Sequence, residues 1–200
     1  MIRQSPINKE KMSQKIAVVL FNLGGPDSLD AVRPFLFNLF NDRAILSYPQ
    51  PFRWILARVI SAVRHNKARK IYQILGGKSP LLENTLAQAT ALEDYLHQID
   101  SASTYKIFIA MRYWHPFTAD AVQDVWDFDP DKIILLPLYP QFSRTTTESS
   151  LTEWTKQAKK QGLKTPTCSV PFYYNNDVFI KAHSDSILPV YQNALAFGAP

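Results

Sequence analysis

The sequence predicts an α/β protein built on a doubly wound parallel sheet. Short runs of nearly uninterrupted apolar residues alternate along the chain with segments of helical periodicity. Each apolar run ends in a loop rich in polar or aromatic side chains. Strands that are apolar on both faces are typical of a parallel sheet covered by helices on both sides. Right-handed crossovers then bring the carboxyl ends of all strands to one edge.

Four segments are predicted to be strands. The first, Lys15–Asn22, is rich in β-branched and aromatic residues and ends before a Gly-Gly-Pro sequence. The second and third are Tyr105–Met111 and Lys132–Leu138, and a weaker fourth covers Thr165–Val170. These lengths suit strands better than helices, because buried helices are usually longer.

Helical spacing of apolar residues predicts helices between these strands. The first should begin at Asp27 or Ser28 and end near Phe40. The others are expected over 82–96, 118–125, 146–160 and 176–194. Before the second of these helices, Ser79 is placed as an N-cap and Pro80 as the first helical residue.

Residues 50–75 interrupt the alternation of strands and helices. Apolar side chains recur at helical spacing from Phe52 to Val63 and predict an amphipathic helix whose other face carries three arginines. Packing on the core is the simplest interpretation of such a helix. The alternatives are a lip over the sheet edge and a contact with an anionic membrane surface through 50–64.

The composition is that of an ordinary folded domain, with 46% hydrophobic and 20% charged residues in 200. Residues 1–14 are polar and are expected to form a loose tail, so that the folded lobe covers 15–200. The single cysteine, Cys168, excludes an internal disulfide and fits a reducing compartment. No apolar run approaches the length of a membrane span. A cytoplasmic protein is therefore expected, with a peripheral contact on the inner membrane face as an addition.

The net charge of +5 is unevenly distributed. No acidic residue lies between Asp42 and Glu83, whereas eight of the 22 basic residues do. A local basic zone indicates an anionic partner, such as a carboxylate-bearing ligand, a membrane surface or a nucleic acid. A solvated basic face explains it equally well. Nucleic acid is the weakest of these interpretations, because no recognised nucleic-acid motif accompanies the charge.

Four loops, 23–28, 112–118, 139–150 and 171–176, should meet at the carboxyl edge of the sheet, where ligands of such folds bind. The first contains two glycines but neither a dinucleotide fingerprint nor a phosphate-binding Walker sequence. A tight turn explains the glycines as well as a site does, and a flavodoxin-like mononucleotide binder remains an alternative. The scattered histidines and Cys168 form no metal-binding pattern.

Four motifs together closely resemble the ferrochelatase family, in order and in spacing, from about Lys15 onward. They are Asn22-Leu23-Gly24-Gly25-Pro26, Gly76-Gly77-Lys78-Ser79-Pro80, Met111-Arg112-Tyr113-Trp114-His115-Pro116 and Leu138-Tyr139-Pro140-Gln141-Phe142-Ser143. The resemblance implies a lyase that inserts ferrous iron into a porphyrin to form haem. It also implies two similar α/β lobes with the porphyrin between them, of which this chain matches the first.

The resemblance assigns a porphyrin-binding role to seven residues: Leu23, Tyr72, Arg112, Tyr113, Tyr139, Ser143 and Thr145. The residues fit, since a porphyrin is flat, apolar and anionic, and Arg112 can bind a carboxylate while rings stack on the macrocycle. By this interpretation Arg112→Ala weakens porphyrin affinity and leaves the fold intact. Protoporphyrin IX and coproporphyrin both remain open as substrates.

The resemblance places the catalytic histidine and glutamate, and the second lobe, beyond Pro200. The 200-residue chain is therefore expected to be inactive or nearly so by itself, with no catalytic and no metal residue of its own. The resemblance implies that ferrous iron is a substrate and that no prosthetic group is needed. It does not decide whether the protein carries an iron–sulfur cluster. The alternative from another functional class is a non-catalytic porphyrin- or haem-binding module.

Overall fold

The computed structural model describes residues 13–198 and contains four strands and six main helices in that range. The strands are β1 (Lys15–Asn22), β2 (Thr104–Met111), β3 (Lys132–Pro137) and β4 (Thr167–Ser169). The helices are α1 (Val32–Phe40), α2 (Phe52–Ile74), α3 (Leu81–Ile99), α4 (Thr118–Phe128), α5 (Ser149–Gln161) and α6 (Asp177–Ala196). A short π-helical turn, Arg144–Glu148, precedes α5.

All strand pairs are parallel, and the order across the sheet is β2-β1-β3-β4. The predicted fold class and all four predicted strands are confirmed, with boundaries shifted by no more than a few residues. The chain leaves β1 towards β2 on one side and returns to β3 on the other. The topological switch point, where such sheets bind ligands, therefore lies between β1 and β3.

Alternate residues of β1 contribute to two different cores. Ala17, Val19 and Phe21 pack with α4 and α5, where Trp154 is buried. The residues between them pack with α3 on the opposite face of the sheet. Burial on both faces explains why β1 is apolar at nearly every position.

A third apolar cluster lies at the carboxyl edge of the sheet, outside these two layers. Its buried members are Val32, Phe35 and Leu36 of α1 together with Tyr113, which follows β2. Leu23, Tyr72 and Trp114 pack around them. We refer to these residues as the rim cluster, because they place α1 and α2 over the edge where the loops meet.

The prediction that α2 packs its apolar stripe on the core is wrong. The helix buries only its small residues Ala57 and Ser61, whereas Phe52, Ile55, Val59 and Val63 are between 51 and 74% exposed. The apolar stripe lies on the opposite side of the helix from the buried side. Amphipathic periodicity therefore predicted the helix but not which of its faces touches the protein.

Two predicted helix starts also differ from the structure. α1 begins at Val32, because residues 29–31 form a turn before it, where the Ser28 hydroxyl accepts from Ala31 N at 3.3 Å. α3 begins at Leu81, with Pro80 as the residue before the helix; the Ser79 hydroxyl accepts from Leu81 N at 3.3 Å. Prolines and hydroxyl side chains marked these boundaries to within a few residues.

The two ends of the described range differ in how they contact the rest of the fold. Most of the predicted tail, residues 1–12, lies outside the described residues. Gln14, at the end of that predicted tail, is instead paired with the sheet, because its carbonyl accepts from Thr104 N and extends the β1–β2 pairing. α6 buries none of its side chains, and its apolar residues Val178, Ile187 and Val190 are exposed. α6 therefore contributes no buried side chain to the three apolar clusters.

Candidate functional site

The predicted meeting of loops at one edge of the sheet is confirmed by the strand register. Asn22 lies beside Met111, and Phe21 lies beside Pro137, so three strands end at one level. The backbone pairing continues into the loops, where Tyr113 N donates to Leu23 O at 2.9 Å. The side chains that follow these strands are consequently held on a common rim.

The two glycines after β1 are explained by close backbone packing. Gly24 has φ +81°, and a Cβ there would lie 3.0 Å from Trp114 N. A Cβ on Gly25 would collide with the side chain of Ser79, whose backbone N donates to Pro26 O at 2.8 Å. The glycines thus allow two rim loops to touch, which favours the tight-turn interpretation over a phosphate site.

An open cavity of about 650 Å³ lies at the rim, and we call it the rim cavity. Its lining comes from three segments: 42–47 after α1, Arg112 after β2, and 144–153 around the start of α5. The volume falls in the range of small-molecule sites, roughly 300–1,000 Å³. Tyr113 links the rim cavity to the rim cluster, because its side chain belongs to the cluster and its hydroxyl reaches Asp42.

Asp42 is the centre of a hydrogen-bonded network in the wall of the rim cavity. Its Oδ2 accepts from Arg112 Nη2 at 2.8 Å, from the Tyr113 hydroxyl at 2.9 Å and from the Ser149 hydroxyl at 2.6 Å. Its Oδ1 accepts from Ala44 N at 2.8 Å. Ser149 Oγ also accepts from Arg112 Nε at 2.8 Å, so the guanidinium is held at two points.

The network changes the acidity of its members. Burial by itself would raise the pKa of Asp42, but the hydrogen bonds from Ser149 and Ala44, the charge of Arg112 and the Tyr113 hydroxyl together lower it. Burial, followed by the negative charge of Asp42, raises the pKa of Tyr113. The carboxylate is therefore ionised and the phenol neutral throughout the physiological range.

The charged residues that line the rim cavity are paired, with one exception. Arg112 pairs with Asp42, Arg144 lies 3.5 Å from Glu148, and Glu153 pairs with Lys156 at 3.2 Å. Arg43 also lines the cavity and is exposed. Within residues 13–198 it has no carboxylate partner, so of the three arginines that line the cavity it is the one that no carboxylate neutralises.

Comparison with known proteins decides the family. The ferrochelatase family model matches residues 15–196, which is nearly the whole chain. The chain belongs to the ferrochelatase family. The family resemblance deduced from the four motifs is thereby confirmed.

Several curated proteins named ferrochelatase are similar to this chain. One from Wolbachia sp. subsp. Drosophila simulans (strain wRi) is 56% identical over 186 residues, covering 93% of this chain and 59% of the relative. One from Caulobacter vibrioides (strain NA1000 / CB15N) is 51% identical over 183 residues, covering 92% of this chain and 52% of the relative. The chain thus spans between about half and about three fifths of the length of these ferrochelatases.

The seven residues predicted to bind porphyrin occupy three different environments. Arg112 and Thr145 line the rim cavity, while Leu23 and Tyr72 belong to the rim cluster beside it. Ser143 caps the π-helical turn, with its hydroxyl 2.9 Å from that of Thr145. Arg112, Thr145 and Ser143 are therefore on or next to the cavity, whereas Leu23 and Tyr72 are linked to it through Tyr113. The role of all five as ligand contacts stays a prediction.

Of the remaining two predicted residues, Tyr113 is buried, whereas Tyr139 is only partly buried. Tyr113 is committed to Asp42, and Tyr139 packs against the core below α5 with its hydroxyl 3.5 Å from Ser150 Oγ. Burial raises the pKa of Tyr139 to about 12. Any ligand contact by either ring stays a prediction.

Sequence reasoning missed three residues of the site: Asp42, Arg43 and Ser149. One available signal was that Asp42 is the last acidic residue before the basic zone, immediately followed by its first cation. His115, considered weak evidence for a base, is exposed and packs edge-on against Trp114 and Phe117. Among residues 13–198, no group of three or more metal-ligating side chains is close enough to hold a metal ion.

Proposed function

We propose that this chain supplies the porphyrin-binding lobe of a ferrochelatase, a lyase that inserts ferrous iron into a porphyrin to form haem. Family membership supports the reaction class. The observation that carries the assignment of the site is the rim cavity, which combines one unpaired cation with an adjoining apolar, aromatic cluster. A flat apolar ligand with peripheral carboxylates requires this combination.

In the proposed complex the residues of this lobe bind and orient the porphyrin. Arg43 holds a carboxylate, because Arg112 is already neutralised by Asp42. Leu23 and Tyr72 provide apolar contact, and Thr145 offers a hydroxyl at the cavity wall. Iron enters as a substrate, and both protoporphyrin IX and coproporphyrin are retained as candidate porphyrins.

A porphyrin titration tests this assignment. The chain is expected to shift and sharpen the main absorbance band of added protoporphyrin IX, and Arg43→Ala is expected to weaken binding roughly fivefold, because an exposed ion contact is worth about 1 kcal/mol. Arg33→Ala is the matched control, since Arg33 is an exposed arginine of α1 outside the cavity. Equal losses in both variants would remove Arg43 from the site.

The same titration with ferrous iron separates the two functional classes. A non-catalytic porphyrin- or haem-binding module predicts tight binding of the metallated product and no conversion of the free porphyrin. The ferrochelatase assignment predicts that the 200-residue chain binds porphyrin, with conversion depending on the catalytic groups that the family resemblance places beyond Pro200. Turnover by this chain at the rate of the longer relatives would assign the chemistry to residues 1–200 instead.

We also propose that α2 contacts an anionic membrane surface, from which an apolar porphyrin can enter the rim. The exposed apolar stripe supports this contact. Basic residues flank the stripe: with about 3.6 residues per turn, Arg58 lies on one side of it, and Arg53 and Arg64 lie on the other. Arg58 stacks 5.0 Å above the Trp54 ring. None of the helices within residues 13–198 is long and apolar enough to span a bilayer.

Vesicle flotation tests the membrane contact. The chain is expected to float with vesicles that contain phosphatidylglycerol and much less with phosphatidylcholine alone, since each basic residue near an anionic surface contributes about 1 kcal/mol. Val59→Glu should reduce this partitioning at least about tenfold, because a charge replaces an exposed apolar side chain that would enter the bilayer surface. Gln98→Glu, on the exposed side of α3, adds the same charge elsewhere and should have little effect. Unchanged flotation of Val59→Glu would contradict the contact.

A further inference from the structure

The carboxylate of Asp42 is engaged by groups of the protein itself, and its Oδ2 is fully used. Four donors reach it: Ala44 N on Oδ1, and Arg112, Tyr113 and Ser149 on Oδ2. Each carboxylate oxygen offers about two lone pairs, so the capacity of Oδ2 is filled, whereas Oδ1 is engaged by the backbone of its own turn. Although Asp42 lines the rim cavity, its contribution there is exerted on its neighbours.

Arg112 is held in one orientation by the same network. Nε and Nη2 are both engaged, and 18% of the side chain is exposed, against 7% for Asp42. A guanidinium and a carboxylate at 2.8 Å cancel one another's charge towards the cavity. The remaining Nη1 group offers hydrogen bonds without net charge.

Asp42 also shapes the segment that carries the unpaired cation. The bond from Ala44 N to its Oδ1 spans two residues and closes a local turn directly around Arg43. One side chain therefore fixes two arginines: Arg43 through the backbone turn and Arg112 through the ion pair. The two arginines line the same cavity, so each can compete with the other for an anionic group.

We propose that Asp42 is a positioning residue of the rim cavity, which neutralises and immobilises Arg112 so that a ligand carboxylate is directed to Arg43. This inference rests on the proposed function for its ligand and adds to it the residue that decides which arginine receives the anion. It predicts that the two arginines differ in reactivity, and that removing the charge of Asp42 reduces this difference and lets Arg112 bind the anion as well.

The first test needs no porphyrin. Phenylglyoxal, a dicarbonyl that adds to free guanidinium groups, is applied to the chain, and the labelled peptides are measured by mass. Arg112 should react about tenfold more slowly than Arg43, because the ion pair with Asp42 must open before the guanidinium can react. In Asp42→Asn, Arg112 should react severalfold faster than in the unaltered chain, whereas the rate of Arg43 should change much less. Equal rates in the unaltered chain would overturn the proposal, whether or not the variant folds.

The second test measures protoporphyrin IX affinity in four variants. Arg43→Ala should cost roughly fivefold in the unaltered chain but less than about twofold in the Asp42→Asn background, because Arg112 then replaces the lost cation. The triple variant, which adds Arg112→Gln to Asp42→Asn and Arg43→Ala, should again bind about fivefold more weakly than Asp42→Asn alone. A cost of Arg43→Ala that is the same in both backgrounds would overturn the proposal.

The two tests distinguish failure of the inference from failure of the proposed function. If the unaltered chain binds no porphyrin but Arg112 is protected and becomes reactive in Asp42→Asn, the positioning role stands and the porphyrin assignment fails. If porphyrin binds but Arg112 is never protected, the porphyrin assignment stands and the role of Asp42 is refuted. Circular dichroism of each variant verifies that the lobe is folded.

Discussion

Arg112→Ala is expected to lower the free energy of unfolding by roughly 2–4 kcal/mol, because it leaves the Asp42 carboxylate without its ion-pair partner. Tyr113 and Ser149 still donate to Asp42 and limit the loss. Urea denaturation of the two proteins at neutral pH measures the difference. This expectation replaces the sequence-based one, in which the variant keeps its stability and loses only affinity.

The matched control is Arg144→Ala in the same cavity. Arg144 is 87% exposed and lies 3.5 Å from Glu148, so its removal should cost less than about 1 kcal/mol. Equal losses in the two variants would show that the Arg112–Asp42 pair contributes no more than a surface ion pair.

The pH dependence provides a second signature of the Arg112–Asp42 pair. The pKa of Asp42 is lower in the folded state than its ordinary value of 3.8, so its stabilising effect is present above that value. The effect is lost as the pH falls through the lowered pKa. The difference between the unaltered chain and Arg112→Ala should therefore be largest near neutral pH and should shrink below about pH 4.

Trp154→Ala is expected to destabilise the lobe by about 3–5 kcal/mol, the usual cost of truncating a buried tryptophan. Trp154 is 2% exposed and packs edge-to-face against Phe21 of β1, with ring centroids 5.8 Å apart. It anchors α5, whose first residue, Ser149, holds Arg112. The variant should consequently lose porphyrin affinity along with stability, as thermal unfolding and titration would reveal.

Trp126→Ala provides the control, since Trp126 is 46% exposed on α4. The same truncation there removes little buried surface and should cost about 1 kcal/mol or less. If the two tryptophan variants unfold at the same denaturant concentration, α5 is not anchored to the sheet by Trp154.

The sequence by itself determined the elements and their order. β1 was predicted with its observed boundaries, because the six successive apolar residues 16–21 favour a buried strand and the glycines that follow end it. The alternation of strands and helices then required a parallel sheet, and the parallel sheet placed the loops after the strands on one rim. Local patterns carry this information, because strand and helix periodicities are properties of neighbouring residues.

Only the tertiary structure decided which side chains meet. Asp42 and Arg112 are 70 positions apart, and Ser149 approaches both because the register of β1, β2 and β3 brings their loops to one level. For the same reason the exposed side of α2 could not be predicted: an apolar stripe shows that a helix has two faces, and what packs against it decides which face is buried. Pairing and burial depend on contacts between distant segments, and these exist only after the chain has folded.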